Sequence, residues 1–171
     1  MPLVKQGAIT ADPYLHLADE DELPSDGAVL ISAKRFLENP DALAQRNAPL
    51  GVIWPNNRDV AELLPWLNRL AVVALVYPTF RDGRAHSQAR LLRERHGFRG
   101  ELRATGQVLR DQFVFLLRNG FDAFEVKKPA DAEVFAAVAK RYSVFYQPTG
   151  DGRKTALEQR MLLRHSESAR S

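Results

Sequence analysis

Arginine and carboxylate side chains are concentrated in one part of the sequence, where they could hold an anion and move a proton. Nine arginines and only four acidic residues lie between Arg81 and Arg118, a balance of +5, whereas the whole 171-residue chain carries +3. The planar guanidinium group forms paired hydrogen bonds with sulfate, phosphate or carboxylate. The composition of this stretch therefore predicts an anion site, and its acids are candidates for proton transfer.

Two loops in this stretch form the predicted site, because each follows an apolar run typical of a buried strand. PTFRDGR follows residues 71–77, and RATGQVLRDQ follows the run that ends near residue 104. In α/β folds, ligands bind at the carboxyl ends of strands, beside helix N-termini that attract anions. We therefore expect Arg81, Arg84 and Arg103 to converge on one rim. The candidate anion-binding residues are Arg81, Gly83, Arg84, Ser87, Gln88, Arg103, Gly106, Arg110 and Gln112, and the candidate acid–base residues are Asp82 and Asp111.

Glycine is expected to shape both loops. Gly83 would provide a turn that residues with a side chain adopt only at a cost, and Gly106 is placed at the start of the helix after the second loop. Arg103 is expected to end its strand, so that its side chain reaches the same rim as the first loop.

Several candidates also have a purely structural interpretation. Arg110 and Asp111 would equally suit an ion pair at a helix start, and Asn56 and Asn57 either contact a ligand or cap the following helix. His86 lies near the basic loop and is either a titrating group or a packing residue. Outward-facing arginines of the predicted helix are interpreted as solvated surface: Arg90, Arg93 and Arg95.

Six apolar runs, each a candidate strand, must position these loops. They begin near residues 28, 51, 71, 100, 121 and 143, and all but the last precede a segment with helical spacing. Such alternation predicts an α/β fold with a mainly parallel sheet, either an open sheet or an incomplete barrel. Residues 1–27 are predicted to form an acidic extension with a β-hairpin or extended edge, residues 28–148 the α/β domain, and residues 149–171 a loop and weak helix.

Composition excludes several classes of function. The chain has no cysteine, which excludes thiol chemistry and cysteine-held iron–sulfur clusters, and its four histidines have no metal-ligand spacing, so no metal site is predicted. No apolar run is long enough for a membrane span and no secretory signal is present, which predicts a cytoplasmic protein. The small net charge, without a lysine-rich run, argues against nucleic acid as a partner.

One long motif resembles a bacterial family of unknown function. FRDGR (80–84), SQARLLR (87–93), GELRA (100–104), VLRDQ (108–112) and GFDAF (120–124) carry the resemblance, which covers about residues 28–147. His86 and Asn119 depart from the family pattern, which usually has an aromatic residue and often a cysteine at these positions. Members are often encoded beside sulfite reductase genes and are labelled as oxidoreductases of sulfite reduction.

The resemblance implies a cytoplasmic accessory of assimilatory sulfite reduction, which binds an oxyanion such as sulfite or docks on the reductase or its electron donor. This chain cannot be the catalytic subunit, because it lacks cysteines for an iron–sulfur centre. The sequence specifies no cofactor. A flavin is compatible with it, but no flavin-binding motif in the sequence supports one. Two alternatives remain, a non-redox enzyme acting on a phosphorylated or carboxylated small molecule and a purely protein-docking module, and a homo-oligomer is compatible with each.

Overall fold

A single sheet of eight strands organises the chain in the structure, a computed structural model that describes residues 1–141, 144–149 and 154–168. The strands are β1 (Leu3–Lys5), β2 (Ala8–Thr10), β3 (Leu15–His16), β4 (Val29–Ser32), β5 (Leu50–Trp54), β6 (Val72–Tyr77), β7 (Glu101–Gly106) and β8 (Ala123–Glu125). Their order is β2-β1-β8-β7-β6-β5-β4-β3. Strands β3 to β8 are parallel, whereas the β1–β2 hairpin adds to β8 in antiparallel fashion. The predicted α/β class with a mainly parallel open sheet is confirmed.

The connections between strands are less regular than the predicted series of helices. The α-helices are α1 (Ala33–Glu38), α2 (Pro40–Ala44), α3 (Arg84–Arg90), α4 (Phe113–Arg118), α5 (Asp131–Arg141) and α6 (Ala156–Ser168). Between β5 and β6 the chain forms a 3-10 segment, Val60–Arg69, with Pro65 inside it, because proline cannot donate the hydrogen bond that an α-helix needs there. A π-helical turn, Leu91–Arg95, continues α3, and a 3-10 turn, Arg110–Gln112, leads into α4. None of the helices described is long and apolar enough to cross a membrane.

The sixth predicted strand, SVFYQ, is not a strand in the part of the chain that the structure describes. Ser143 lies outside the described residues, and Phe145 forms only an isolated bridge with Thr155. Five consecutive crossovers therefore build the parallel part of the sheet, from β3 to β8.

The main core lies between one face of the sheet and the helices. Alternate residues of each strand point to this face, so that Trp54, Tyr77 and Phe124 are completely buried beneath the helical layer. Burial of a large aromatic or aliphatic side chain contributes about 1.5–3 kcal/mol, and this face supplies most of the apolar burial. The opposite face carries a smaller apolar cluster, Leu30, Val72 and Ala74, partly covered by Tyr14 and Ile53.

The sheet is strongly curled, because its two edge strands are close together along the chain. Strands β2 and β3 lie at opposite ends of the sheet, yet only residues 11–14 separate them. Five peptide units span at most about 18 Å, whereas a flat sheet of this size would be about 34 Å wide. The two edges must approach each other, and residues 11–14 bridge the concave face.

Candidate functional site

The predicted convergence of three arginines on one rim is wrong. Arg103 lies in the middle of β7, between Leu102 and Ala104, whose side chains belong to the helix-facing core. Alternation along the strand points Arg103 to the concave face, where its side chain is 0 % exposed. Arg81 and Arg84 are instead exposed beyond the carboxyl end of β6. The predicted strand end is two residues too early, so Arg103 was expected at the rim and not on the concave face.

Arg103 is the centre of a charged network, here called the interior cluster, formed with Asp12, Glu101 and Glu125. Its Nη1 and Nη2 donate to the two carboxylate oxygens of Asp12 at 2.6 and 3.1 Å. Its Nε donates to Glu101 at 2.9 Å, and its Nη1 lies 3.4 Å from Glu125. The ring of Tyr14 covers the guanidinium at 5.6 Å. The arrangement pins the crossing segment 11–14 onto the sheet, which gives Arg103 a structural role.

The carboxylate of Asp12 is held ionised by this network. Burial by itself would raise the pKa of Asp12, but hydrogen bonds from Arg103 and then His16 outweigh it and lower the pKa to about 2. The pair of Arg103 and Asp12 therefore keeps both charges across the whole physiological pH range.

Three side chains of this region have the types that ligate divalent cations. Ligand atoms of Asp12, His16 and Glu125 lie within 4.8 Å of one another. Arg103, however, contacts both carboxylates and already neutralises much of their charge. We therefore propose no metal at this position.

The first predicted loop forms a local ion pair. The Nε and Nη2 atoms of Arg84 donate to Asp82 at 2.9 and 2.6 Å, and Arg84 is 60 % exposed. This pairing, foremost, lowers the pKa of Asp82 well below its usual range. Gly83 has an ordinary negative φ of −82°, so the prediction of a glycine-dependent turn there is wrong. The guanidinium of Arg81 lies over the ring of Phe80 at 5.4 Å.

Other candidates of this region hold loops together. The amide nitrogen of Gln88 donates to the carbonyls of Pro55 and Arg58 at 3.0 and 2.8 Å, which anchors the loop after β5 to α3. Asn56 is buried in that loop. The N-cap of the following 3-10 segment is Asp59, whose carboxylate accepts from Ala61 N, so the prediction of Asn57 as the cap is wrong. Ser87 and Asn57 are exposed.

Gln112 connects the two predicted loops. Its side chain accepts from the Leu109 N–H and donates to the Phe80 carbonyl, both at 3.1 Å. The loops are therefore neighbours, as expected. Gly106 belongs to the end of β7 and not to a helix start, with a φ of +91° and the Tyr77 carbonyl directly beside it.

His86 is a packing residue in the structure. Its ring meets Tyr77 edge to face at 5.2 Å, and burial lowers its pKa, which favours the neutral ring. Its Nδ1 lies 3.5 Å from the Asn119 amide. The two positions that depart from the expected family pattern are thus in contact.

A pocket of about 750 Å³ lies on the helical side of the sheet and is here called the α4 pocket. Its floor is a stripe of residues spaced four apart along α4 and the turn before it: Arg110, Asp111, Val114, Phe115, Arg118 and Asn119. Its walls are Arg90 of α3, Val138 of α5 and residues between Phe145 and Thr149. The volume falls in the range of about 300–1,000 Å³ that ligand pockets occupy.

The guanidinium groups of the α4 pocket are held at separate places. Arg110 donates through Nε to Asp131, the first residue of α5. Arg118, which is buried, donates to the Gln147 carbonyl and lies over the Phe145 ring at 4.1 Å, beyond the other end of α5. Arg110 and Arg118 are eight positions apart, which corresponds to about 12 Å along the helix axis. These hydrogen bonds give the two guanidinium groups different partners.

Of the predicted candidates, the α4 pocket brings together Arg110 and Asp111. Arg118, Asn119 and the apolar lining were not among the predicted candidates. Arg90, interpreted as solvated surface, is exposed and pairs with Glu94 while bordering the pocket. The sequence does contain a pattern that indicates this face of the helix. In RDQFVFLLRN the pairs Arg110–Asp111, Val114–Phe115 and Arg118–Asn119 follow one another at intervals of four residues. This face is polar at both ends and apolar in the middle, which is unusual for a helix surface that faces solvent.

Comparison with known families decides what this chain is related to. The sequence pattern of DUF934, described as a bacterial protein of unknown function, matches residues 51–157. The chain belongs to this family. The match covers α3, β7, α4 and all of the residues that line the α4 pocket, so the pocket lies in the part of the chain that defines DUF934. No curated protein matches the chain.

Proposed function

We propose that this DUF934 chain is a binding protein for an elongated organic anion, held in the α4 pocket by Arg110 at one end and Arg118 at the other. The observation that carries the proposal is that the two guanidinium groups have different partners, Asp131 at the start of α5 for Arg110 and the Gln147 carbonyl for Arg118. Between them the floor is apolar, formed by Val114 and Phe115. A ligand with negative groups at both ends and an apolar middle matches this order of chemistry.

Arg110 and Arg118 are eight positions apart, about 12 Å along the helix axis, and their guanidinium groups have different partners, so we expect a single sulfite or sulfate ion to contact only one of them. The site thus favours docking, or a larger ligand, over capture of a bare oxyanion. Asp82 offers little as a general base, because its ion pair with Arg84 keeps it a weakly basic carboxylate.

A rigid biphenyl with a carboxylate at each end is the probe for this proposal. We expect it to bind at least tenfold more tightly than the biphenyl with one carboxylate, since the second ion pair contributes about 1.4 kcal/mol or more. Sulfite and sulfate should fail to compete at similar concentration. Isothermal titration calorimetry measures all four affinities.

In the Arg110→Gln variant, the affinity for the dicarboxylate should fall to that for the monocarboxylate. Arg110 is exposed, so its replacement leaves the core intact. Exposed Arg95, which lies outside the α4 pocket, supplies the matched control Arg95→Gln, which should bind as the unmodified protein does. Equal affinity for the two biphenyl acids would contradict the proposal.

Within the setting that the family resemblance suggests, we propose that the chain is an accessory of assimilatory sulfite reduction and acts by binding, not by reducing sulfite. A deletion strain should then grow poorly on sulfate and on sulfite and normally on sulfide. Complementation by the unmodified gene and by Arg95→Gln, but not by Arg110→Gln, would tie the phenotype to the α4 pocket. Normal growth of the deletion strain on sulfate, with no second copy of the gene, would reject this role and leave the binding proposal untouched.

A further inference from the structure

We infer that the elongated anion of the α4 pocket carries an aromatic ring system between its two acidic ends, so that the ligand is an aromatic and not an aliphatic dianion. This inference rests on the proposed function, because it names the chemical class of the ligand in the same site. It depends on the rings that line the pocket, on their exposure to solvent and on their contacts with other rings.

Aromatic rings outnumber aliphatic side chains in the lining of the α4 pocket. The apolar residues that line it are Val114, Phe115, Val138, Phe145 and Tyr146. An aliphatic ligand gains from any apolar wall, because the hydrophobic effect depends on the buried area and not on direction. Aromatic walls add a preference for another ring, which packs on them offset or edge to face. The lining therefore favours a ligand that contains a ring.

Two of the three rings are largely exposed to solvent. Phe115 is 65 % exposed and Tyr146 is 89 % exposed, whereas Phe113, two positions earlier on α4, is buried in the core. Residues two positions apart lie on different sides of a helix, so α4 presents one ring to the core and another to the pocket. Exposed rings that line a concave pocket indicate an apolar group of a ligand that covers them.

Phe115 and Tyr146 contact no other ring and no guanidinium group among the residues that the structure describes. The core rings differ in this respect, because Phe113, Phe124 and Phe135 contact one another with centroids 4.7–5.7 Å apart. Contacts between rings strengthen packing beyond the effect of the buried area. A ligand ring supplies the contact that the two pocket rings lack.

The trans,trans-bicyclohexyl dicarboxylate, which is the saturated counterpart of the biphenyl dicarboxylate, tests this inference. It keeps a carboxylate at each end and an apolar middle, but it has no π system. We expect the biphenyl compound to bind the full chain about fivefold or more tightly than the saturated one, because only its rings pack favourably on Phe115 and Tyr146. Burial of apolar surface alone would not produce this order, since the saturated rings are no less apolar. Isothermal titration calorimetry of both compounds and of their monocarboxylates gives the comparison.

The Phe115→Leu variant keeps an apolar side chain in the pocket but removes the ring. It should weaken binding of the biphenyl dicarboxylate about threefold or more and change the affinity for the bicyclohexyl dicarboxylate less than about twofold. Tyr146→Leu should have the same selective effect. Both side chains are exposed, so neither variant removes a core contact.

Phe80→Leu is the matched control, because Phe80 is an exposed ring outside the α4 pocket. It should leave the affinities for both dicarboxylates unchanged. Arg110→Gln serves as the opposite control, because it removes a charge and no ring. It should weaken both dicarboxylates alike and preserve the preference for the biphenyl compound.

The outcomes separate the inference from the proposed function. If both dicarboxylates bind more tightly than their monocarboxylates but with equal affinity, the two ends alone select the ligand, and the inference is overturned while the proposed function stands. If Phe115→Leu and Tyr146→Leu weaken both dicarboxylates alike, the rings supply only apolar surface and the inference is likewise overturned. If neither dicarboxylate binds more tightly than its monocarboxylate, the proposed function fails and the inference fails with it.

Discussion

Replacing Arg103 by methionine is expected to lower the free energy of unfolding by about 3–5 kcal/mol at pH 7. The side chain is completely buried, and its removal leaves the carboxylates of Asp12, Glu101 and Glu125 without their shared cation. Methionine preserves most of the volume, so the loss reports on charge and not on a cavity. Urea unfolding monitored by circular dichroism measures the difference.

The Arg84→Met variant is the matched control, since Arg84 also pairs with a carboxylate but is 60 % exposed. It should change stability far less than Arg103→Met does, because solvent screens an exposed ion pair. Similar effects of the two substitutions would show that the interior cluster does not depend on Arg103.

The cost of Arg103→Met should diminish in acid. The pKa of Asp12 in the folded chain, about 2, lies below its ordinary value, so the stability from the Arg103–Asp12 pair is present above about pH 4 and is lost as the pH falls through about 2. The difference between the two proteins should therefore shrink between about pH 4 and pH 2. If the difference in unfolding free energy stays constant over this range, the effect of Arg103 does not come from its ion pair with Asp12.

Replacing Gly106 by alanine is expected to destabilise the chain by about 3 kcal/mol or more. The φ of Gly106 is +91°, and a Cβ there would lie 2.4 Å from the backbone oxygen of Tyr77 on the neighbouring strand. That oxygen accepts the hydrogen bond of the Gln107 N–H at 2.8 Å, so the sheet cannot open without losing it. Both the backbone angle and the contact oppose a side chain.

Gly27 allows the cost of the backbone angle to be measured without a steric contact. Its φ is +88°, but a Cβ there would meet nothing within 4 Å. Gly27→Ala should cost only the backbone strain, about 1–2 kcal/mol. Thermal unfolding of the two variants gives the comparison. Equal losses would mean that the Tyr77 carbonyl yields, and that the close approach of β6 and β7 is not a constraint.

The two predicted loops are neighbours in the structure but do not form a shared anion site. The loops after β6 and β7 do meet, through the bond from Gln112 to the Phe80 carbonyl. Their arginines nevertheless point away from each other, because Arg84 pairs with its own Asp82 and Arg103 faces the concave side. The α4 pocket arises one turn further along, where α4 meets α5.

The sequence by itself determined the α/β class, the parallel direction of the central strands and the concentration of arginine between residues 81 and 118. These features are local or statistical: buried strands are short apolar runs, crossovers follow from alternation, and charge balance needs no coordinates. The same local reasoning placed Arg110 and Asp111 among the candidate residues, and both line the α4 pocket.

Only the tertiary structure decided which side of the sheet each charged residue occupies. A strand boundary misjudged by two residues left Arg103 assigned to a loop instead of the concave face, since successive side chains of a strand point in opposite directions. The partner of Arg103, Asp12, lies ninety-one residues away in sequence and reaches it because the sheet curls until its edges meet segment 11–14. Contacts of that range depend on how the whole sheet closes, and no local pattern encodes them.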